Sequence, residues 1–458
     1  MGRSWGGGRG GGLGTPERRT EKRTAPGRPW RSPRMISSCA LRFGGKFKMG
    51  VKDQGLVYLL TGGCGFLGGH LVKILLEKEP SLKELRVFDL NPDPQMEALS
   101  TGRVRVTLIP GDVTRSEEVA AAVAGADVVI HTAGLVDVWG RVPTERIFSV
   151  NVQGTQNVID ACVETGTRYL VYTSSMEVVG PNSKGDPFIR GNEDSSYEAV
   201  HKESYPISKS QAERMVLEAN GRMVRGGLPL VTCALRPMGI YGEKHQLMLD
   251  LYHSSLLTGK RLFRLIPTTV EHGRVYVGNV AWMHLLAARE IQSQPQVLGG
   301  EVYYCYDASP YKSYEDFNME IFGPCGIRMV GSRPLVPYFV LYLLATLNTL
   351  LQWLLRPLVA YAPLLNPYTL LVSHTPFTVC TDKAQRHFGY SPLYSWEESR
   401  SRCVAWLRKQ MSETGGGGGA GGEAGLSRSW GSGVETPGCP GSAASGASVS
   451  PLGFQTRA

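Results

Sequence analysis

The apolar run Leu56-Val57-Tyr58-Leu59-Leu60 passes directly into Thr61-Gly62-Gly63-Cys64-Gly65-Phe66-Leu67-Gly68, and a helical pattern follows without a break. The run is short, partly β-branched and bounded by glycine, as a strand buried on both faces would be. Phe66, Leu67, His70, Leu71, Ile74 and Leu75 then recur at three- and four-residue steps, the period of a helix with one apolar face. Gly63, Gly65 and Gly68 satisfy GxGxxG, and Gly62, Gly65 and Gly68 satisfy GxxGxxG. Glycine serves three needs at such a junction: a tight turn, close backbone approach to a pyrophosphate, and close packing of helix on strand. The helix N-terminus adds N–H groups and positive dipole for the anion. The plain alternative is a tight turn with no ligand. The position between strand and helix favours a dinucleotide, with Gly62, Gly63, Gly65, Phe66, Leu67 and Gly68 as its candidate contacts.

The same alternation continues along the chain. Leu85–Asp89, Val104–Ile109, Asp127–His131 and Arg168–Thr173 read as further strands, with a helix over about Val152–Glu164. Strands alternating with helices predict an α/β fold, a Rossmann-type doubly wound parallel sheet joined by right-handed crossovers. The expected organisation is a NAD-binding domain over 51–240 and a smaller substrate-binding region over 241–333. A membrane-associated segment over 334–373 and a small helical piece over 374–411 follow. The membrane segment rests on Pro334–Leu355, 22 residues without a charge, bracketed by Arg333 and Arg356. Such a length covers a bilayer core if it spans. Its polar residues Thr346, Asn348, Thr349 and Gln352 are compatible with one stripe, so a tilted or interfacial helix fits equally well. Pro357, Pro363 and Pro367 argue against a second regular spanning helix.

Asp89 ends the second strand, 21 residues after Gly68. An acid there accepts the adenosine ribose hydroxyls and repels a 2′-phosphate, which favours NAD over NADP; otherwise it is a solvated strand-end aspartate. Asp112-Val113 ends the third strand and would lie beside the adenine, although Asp112 equally suits a helix N-cap. Tyr205 and Lys209 form the single YxxxK pair of the chain. On a helix the two share a face, and a protonated lysine would lower the phenol's pKa toward that of a usable base. Lys209 would also hold the nicotinamide ribose. The fifth strand ends in Tyr172-Thr173-Ser174-Ser175, at the edge where a doubly wound sheet places its chemistry. Ser175 is the expected hydrogen-bond donor to a developing alkoxide and Ser174 the reserve; the two could also merely form a turn.

Together these features resemble the extended short-chain dehydrogenase/reductases. The likeness is carried by TGGCGFLG, Asp89, Asp112-Val113, His131-Thr-Ala-Gly134, Asn151-Val-Gln-Gly-Thr-Gln-Asn157, TSSMEVVG, YxxxK and Leu235-Arg-Pro-Met-Gly-Ile-Tyr-Gly242. Within them the chain is similar to the membrane-bound 3β-hydroxysteroid dehydrogenase/Δ5-isomerases, on Val275–His284, Arg356-Pro357 and Asp382–Arg386. Val136–Trp139, Gly191–Asp194 and Leu365-Asn-Pro-Tyr368 point to the branch acting on C27 steroids in bile-acid synthesis. The likeness covers about 56–408. It implies NAD⁺, 7α-hydroxylated C27 sterol substrates and the endoplasmic-reticulum membrane, with the NAD-binding domain in the cytosol. It also implies a second stage, Δ5 to Δ4 isomerisation. The family associates that stage with a Tyr and an Asp four residues later, matched here by Tyr303 and Asp307. Ala308 stands where some relatives carry a second acid, so a plain loop aspartate weighs equally for Asp307.

Composition removes several other classes. The net charge of +9 is concentrated in residues 1–50, which carry nine Arg and three Lys against two Glu. Residues 412–458 carry two Arg and three Glu, so the body between is neutral and no nucleic-acid partner is expected. The two flanks hold 26 of the 56 glycines, and both 1–50 and 412–458 are expected to be disordered. Met49 could be the true start in place of Met1. Nine cysteines without a CxxC pair and nine histidines without HExxH imply neither a disulfide framework nor a metal. The expected partners are a sterol and the lipid bilayer, with a homo-oligomer left open. Competing readings are a sterol-4α-carboxylate 3-dehydrogenase, a nucleotide-sugar epimerase and a non-catalytic NAD-binding protein. The epimerase has no need of the apolar run, and a non-catalytic protein has no need of Ser175, Tyr205 and Lys209 together.

Overall fold

The computed structural model describes residues 55–355, 358, 361 and 363–415. The expectations for 1–50 and for most of 412–458 therefore lie outside the described residues. Seven strands form one sheet: β1 (Leu56–Thr61), β2 (Leu82–Asp89), β3 (Arg105–Pro110), β4 (Val128–His131), β5 (Tyr169–Thr173), β6 (Val231–Pro237) and β7 (Glu301–Cys305). Their spatial order is β7-β6-β5-β4-β1-β2-β3, and every neighbouring pair is parallel. This is the doubly wound sheet expected from the alternation. Both faces are covered, so the central strands are largely apolar and buried; all four residues of β4, His131 included, are buried.

Successive strand residues face opposite sides, and each side has its own core. Tyr58, Leu60, Val171, Cys233, Leu235 and Tyr303 pack with helices α1 (Phe66–Lys78) and α5 (Val277–Ser293). Leu59, Val129, Leu170, Tyr172 and Ala234 pack with α2 (Ser116–Val123), α3 (Gly154–Thr165) and α4 (Ser204–Glu218).

The boundary expected near 240 is not a break in the sheet. β7 returns to pair with β6, and α5 packs beneath the strands. Residues 241–333 thus mix sheet elements with others, such as the helix Tyr314–Phe322. The closing piece is not purely helical either: Phe377–Val379 pairs in parallel with Phe188–Gly191 before the helices Lys383–Phe388 and Trp396–Gly415.

The apolar stretch becomes α6 (Tyr338–Leu355), which starts only after Pro337, and a short helix α7 (Pro367–His374) follows. α7 opens with a capping box in which the Asn366 side chain accepts from Thr369 N–H. On α6, Leu341, Ala345, Asn348 and Gln352 share the face turned to the body. Leu341 and Ala345 are buried. Asn348 donates to the Leu365 carbonyl at 2.9 Å, and Gln352 donates to the carbonyls of Trp139 at 3.2 Å and Gly140 at 3.1 Å. The opposite face is apolar and open: Phe339, Leu343 and Trp353 are 65%, 63% and 68% exposed.

Candidate active site

The glycine turn leads from β1 into α1. Gly62 has φ +71°, and a Cβ on it would lie 2.8 Å from the Ala133 backbone. A Cβ on Gly68 would meet the Gly62 carbonyl at 2.1 Å, so only glycine lets α1 pack this closely on the turn. Gly65 is different. It is exposed, with nothing nearer than the Gly62 oxygen at 3.3 Å, which leaves a bare backbone cradle in front of the helix. The N-terminus of α1 has no side-chain cap and no acidic residue in its first turn, so its N–H groups and dipole remain for an anion. Asp89, at the end of β2, accepts from Cys64 N–H through Oδ2 and from Asn91 N–H through Oδ1, both at 2.9 Å. Its carboxylate is thereby fixed beside the turn.

Asp112 behaves otherwise than a free adenine contact. Burial alone would raise its pKa, but bonds from Thr114 and the Arg146 guanidinium at 3.2 Å hold it below the usual carboxylate value. Val113 is buried against Gly154 of α3, and its carbonyl accepts from Asn157 at 2.9 Å. The pair shapes this end of the cleft chiefly through its backbone.

A continuous floor runs from the glycine turn to Ser175, Tyr205 and Lys209. Thr61 Oγ1 bonds His131 Nδ1 at 2.7 Å, and burial pushes that imidazole down to about 3, so it stays neutral. Beyond it, a Cβ on Gly134 would lie 3.2 Å from Asn151 Oδ1 and 3.4 Å from Lys209 Nζ. Asn151 accepts from Leu135 N–H and donates to the Leu135 carbonyl and to Ser208 Oγ, tying this loop to α4. Asn151, which the sequence offers only as part of the Asn151–Asn157 motif, is the bracket between this floor and α4.

Tyr205 and Lys209 sit one turn apart on α4, both buried. Lys209 Nζ donates to the Thr173 carbonyl at 2.8 Å and to the Tyr172 hydroxyl at 3.2 Å. Burial lowers its pKa to about 8, against the pull of Glu213. The Tyr205 phenol is hydrogen-bonded to the Ser175 side chain. Burial and the nearby Glu177 charge raise its pKa well above the ordinary value, and the Ser175 bond only partly offsets this. Lys209, whose Nζ is held on β5, is not among the groups that lower it. Ser174 points the other way. It donates to Glu213 Oε2 at 2.6 Å, and Glu213 is gripped in turn by Arg236 Nε at 2.8 Å.

Tyr303 and Asp307 are not brought to this cluster. Tyr303 registers with Leu235 on the α5 face of the sheet, whereas Tyr205 projects from α4 on the other face. Its phenol bonds His387 at 3.0 Å. Asp307 is consumed as a structural acceptor, taking Tyr276 N–H at 2.8 Å, Asn279 Nδ2 at 2.9 Å and Ser309 N–H at 2.9 Å. Spacing alone could not show which face a residue of β7 would occupy.

A protein-family profile described as the 3-beta hydroxysteroid dehydrogenase/isomerase family matches residues 59–335. Among curated proteins, the chain is 70% identical over 355 residues to 3 beta-hydroxysteroid dehydrogenase type 7 of Homo sapiens, covering 78% of this chain and 96% of that one. It is 42% identical over 354 residues to the 3 beta-hydroxysteroid dehydrogenase/Delta 5-->4-isomerase of Vaccinia virus (strain Western Reserve), covering 77% of this chain and 99% of that one. Among solved structures, a UDP-galactose 4-epimerase aligns with TM-score 0.55 at 19% identity, covering 78% of this chain and all (100%) of that one. DesIV, a dTDP-glucose 4,6-dehydratase from Streptomyces venezuelae solved with NAD, aligns with TM-score 0.56 at 20% identity, covering 78% and 98%. At these identities the structural likeness speaks for the fold alone.

Proposed function

The chain belongs to the 3-beta hydroxysteroid dehydrogenase/isomerase family, and from that premise we propose that it oxidises the 3β-hydroxyl of a Δ5 steroid with NAD⁺ and shifts the double bond to Δ4. The observation that carries this is the joining of Ser175, Tyr205 and Lys209 at the C-terminal edge of β5, at the end of a floor that starts at the glycine turn. The residues present fit NAD. The α1 N-terminus and Gly65 suit its pyrophosphate, Asp89 its adenosine ribose, and Lys209 beside Gly134 its nicotinamide ribose. When bound, the nicotinamide supplies the hydride acceptor.

The rest is done by the chain. Ser175 and Tyr205 converge on one point and hold the sterol's 3β-oxygen there. One proton must leave the Tyr205–Lys209 pair before the sterol hydroxyl can release its own. Lys209, held at about 8, is the member that titrates near working pH. The 3-ketone then acidifies C4, and a positioned base can move the double bond.

The finer reading is a 7α-hydroxylated C27 sterol of bile-acid synthesis, met at the endoplasmic-reticulum membrane with the NAD-binding domain in the cytosol. The high identity to the type 7 relative supports the substrate class. The shape of α6 supports attachment. Its 18 residues have mean hydropathy 1.5, and only 11% of them are buried. Gln352 satisfies its amide on the Trp139–Gly140 loop of the body, so a helix crossing the bilayer would have to take that loop with it. A helix lying in the interface, apolar face into the lipid, keeps these bonds and fits better. The test is to incubate the membrane fraction with NAD⁺ and a panel of sterols and to identify products by mass. 3-Oxo-Δ4 products from 7α-hydroxylated C27 sterols are expected. Loss of CO2 from 4α-carboxysterols instead would point to the decarboxylating alternative.

A further inference from the structure

One guanidinium in the substrate region has no acceptor. Arg274 opens the strand Arg274–Tyr276, which pairs in parallel with Gly239–Tyr241 just beyond β6. In that register Arg274 stands beside Gly239, and a Cβ on Gly239 would meet its Cδ at 3.0 Å and its Nη1 at 3.1 Å. The arginine lies in the space that the glycine leaves. Its Nε is buried without a partner, and the guanidinium makes no hydrogen bond or ion pair among the described residues. It rests on rings instead, centred 4.3 Å from Tyr314 and 5.3 Å from Phe317 of the helix Tyr314–Phe322. No carboxylate supports its charge. The groups that do are the phenols of Tyr314 and Tyr241, and burial holds its pKa below the ordinary arginine value. Tyr241 is already bonded to Ser309 at 2.8 Å. The imidazoles nearby stay neutral, because burial pushes His272 down to about 3 and His245 to about 4. His272 Nδ1 is also buried without a partner, with its ring 4.1 Å from that of Tyr314. A buried cation costs free energy unless an anion meets it, and aromatic faces recover only part of that cost.

We propose that Arg274 is an anion subsite for the end of the sterol remote from C3, where it takes a carboxylate carried on the side chain; this rests on the dehydrogenase reading above. Tyr314 ties the subsite to the reacting end. Its phenol feels both the Arg274 charge and that of Glu177, and Glu177 in turn neighbours the Tyr205 phenol. Arg274 feels no charge from Glu177 or from any residue suited to NAD, so it stands further from Tyr205 than Glu177 does and away from the cofactor floor. The side chain as a whole is half-buried, so part of it still meets open space. A guanidinium offers parallel N–H groups that match the two oxygens of a carboxylate, and the Tyr314 phenol beside it is a further donor. A neutral hydroxyl would occupy one N–H and leave the charge unmatched.

The test pairs two 3β-hydroxy-Δ5 sterols that differ only at the end of the side chain, one a carboxylate and one a methyl. Both are assayed with the full-length protein and NAD⁺ in the same detergent. Wild-type kcat/KM should favour the acid at least ~10-fold, the worth of one charge-assisted pair. Arg274→Met keeps the length and the contact with the rings. It should erase the preference through a higher KM for the acid, and Arg274→Lys should keep part of it. A wild type without the preference, or an Arg274→Met that retains it, overturns the proposal. A KM for NAD⁺ that rises in Arg274→Met equally with both sterols also overturns it, since the guanidinium then serves the cofactor's pyrophosphate. A markedly lower melting temperature in Arg274→Met, the mark of a structural cation, does the same. If neither sterol is oxidised, the dehydrogenase reading fails and binding decides the subsite. A rise in melting temperature with the acid in the wild type but not in Arg274→Met upholds it, and no rise in the wild type overturns it.

Discussion

Ser174 and Ser175 are adjacent, yet their side chains leave β5 in opposite directions, as successive residues of extended backbone must. Ser174 is drawn into the buried Glu213–Arg236 pair, and Ser175 meets the Tyr205 phenol. That division of labour makes Tyr205 the group whose loss matters most. Tyr205→Phe keeps the ring and removes the titrating oxygen, so turnover should fall at least ~10²-fold with NAD⁺ affinity little changed. Steady-state kinetics within about tenfold of wild type would contradict the role, since general-base catalysis is worth more than that. The pH dependence of oxidation follows from Lys209. Burial disfavours its charged form and sets it at about 8, and the reaction needs the Tyr205–Lys209 pair to shed a proton. Oxidation should therefore rise with pH through about 8 and level off above it, and a flat profile from pH 7 to 9 would refute the assignment.

At the scale of elements, α4 is held to the sheet by an ion pair rather than by apolar contact alone. Arg236 of β6 and Glu213 of α4 have side chains 13% and 4% exposed. Glu213→Gln would leave the guanidinium buried without its charge partner and strand Ser174 as well. A loss of ~3–5 kcal/mol in chemical denaturation is expected; a loss under about 1 kcal/mol would show that water or another acid replaces Glu213. For α6 the expectation concerns its open face. Each large apolar side chain moved into lipid contributes ~1.5–3 kcal/mol. Replacing Phe339, Leu343 and Leu347 by Glu should shift the protein from the pellet to the supernatant of a carbonate wash. Retention in the pellet would place the attachment elsewhere. α7 joins this surface to the chemistry. Asn366, its cap, donates to the Val138 carbonyl at 2.9 Å, and Tyr368, its second residue, reaches Glu177.

For the whole molecule, every contact described for the site lies between residues 55 and 415. A chain trimmed to 49–415 is therefore expected to keep its specific activity and its thermal transition, checked by assay and by calorimetry. Loss of folding would contradict this. Cutting at 411 removes only the last turn of the helix Trp396–Gly415 and keeps Cys403, Val404 and Leu407, which pack with Phe317 and Ile321 of the helix Tyr314–Phe322. What the sequence by itself determined was local. The glycine turn, the first five strands and the YxxxK face were legible because each is written in residues a few positions apart, through steric freedom at glycine, apolar period and helical spacing. What only the tertiary structure decided was long-range. β7 joins the sheet by pairing with β6, Tyr303 falls on the wrong face for Tyr205, Asp307 is spent on the start of α5, and Tyr368 comes 191 residues along the chain to Glu177. The reason is physical: strand pairing and burial are settled between segments distant in sequence, and a side chain's partner depends on which face the completed sheet gives it.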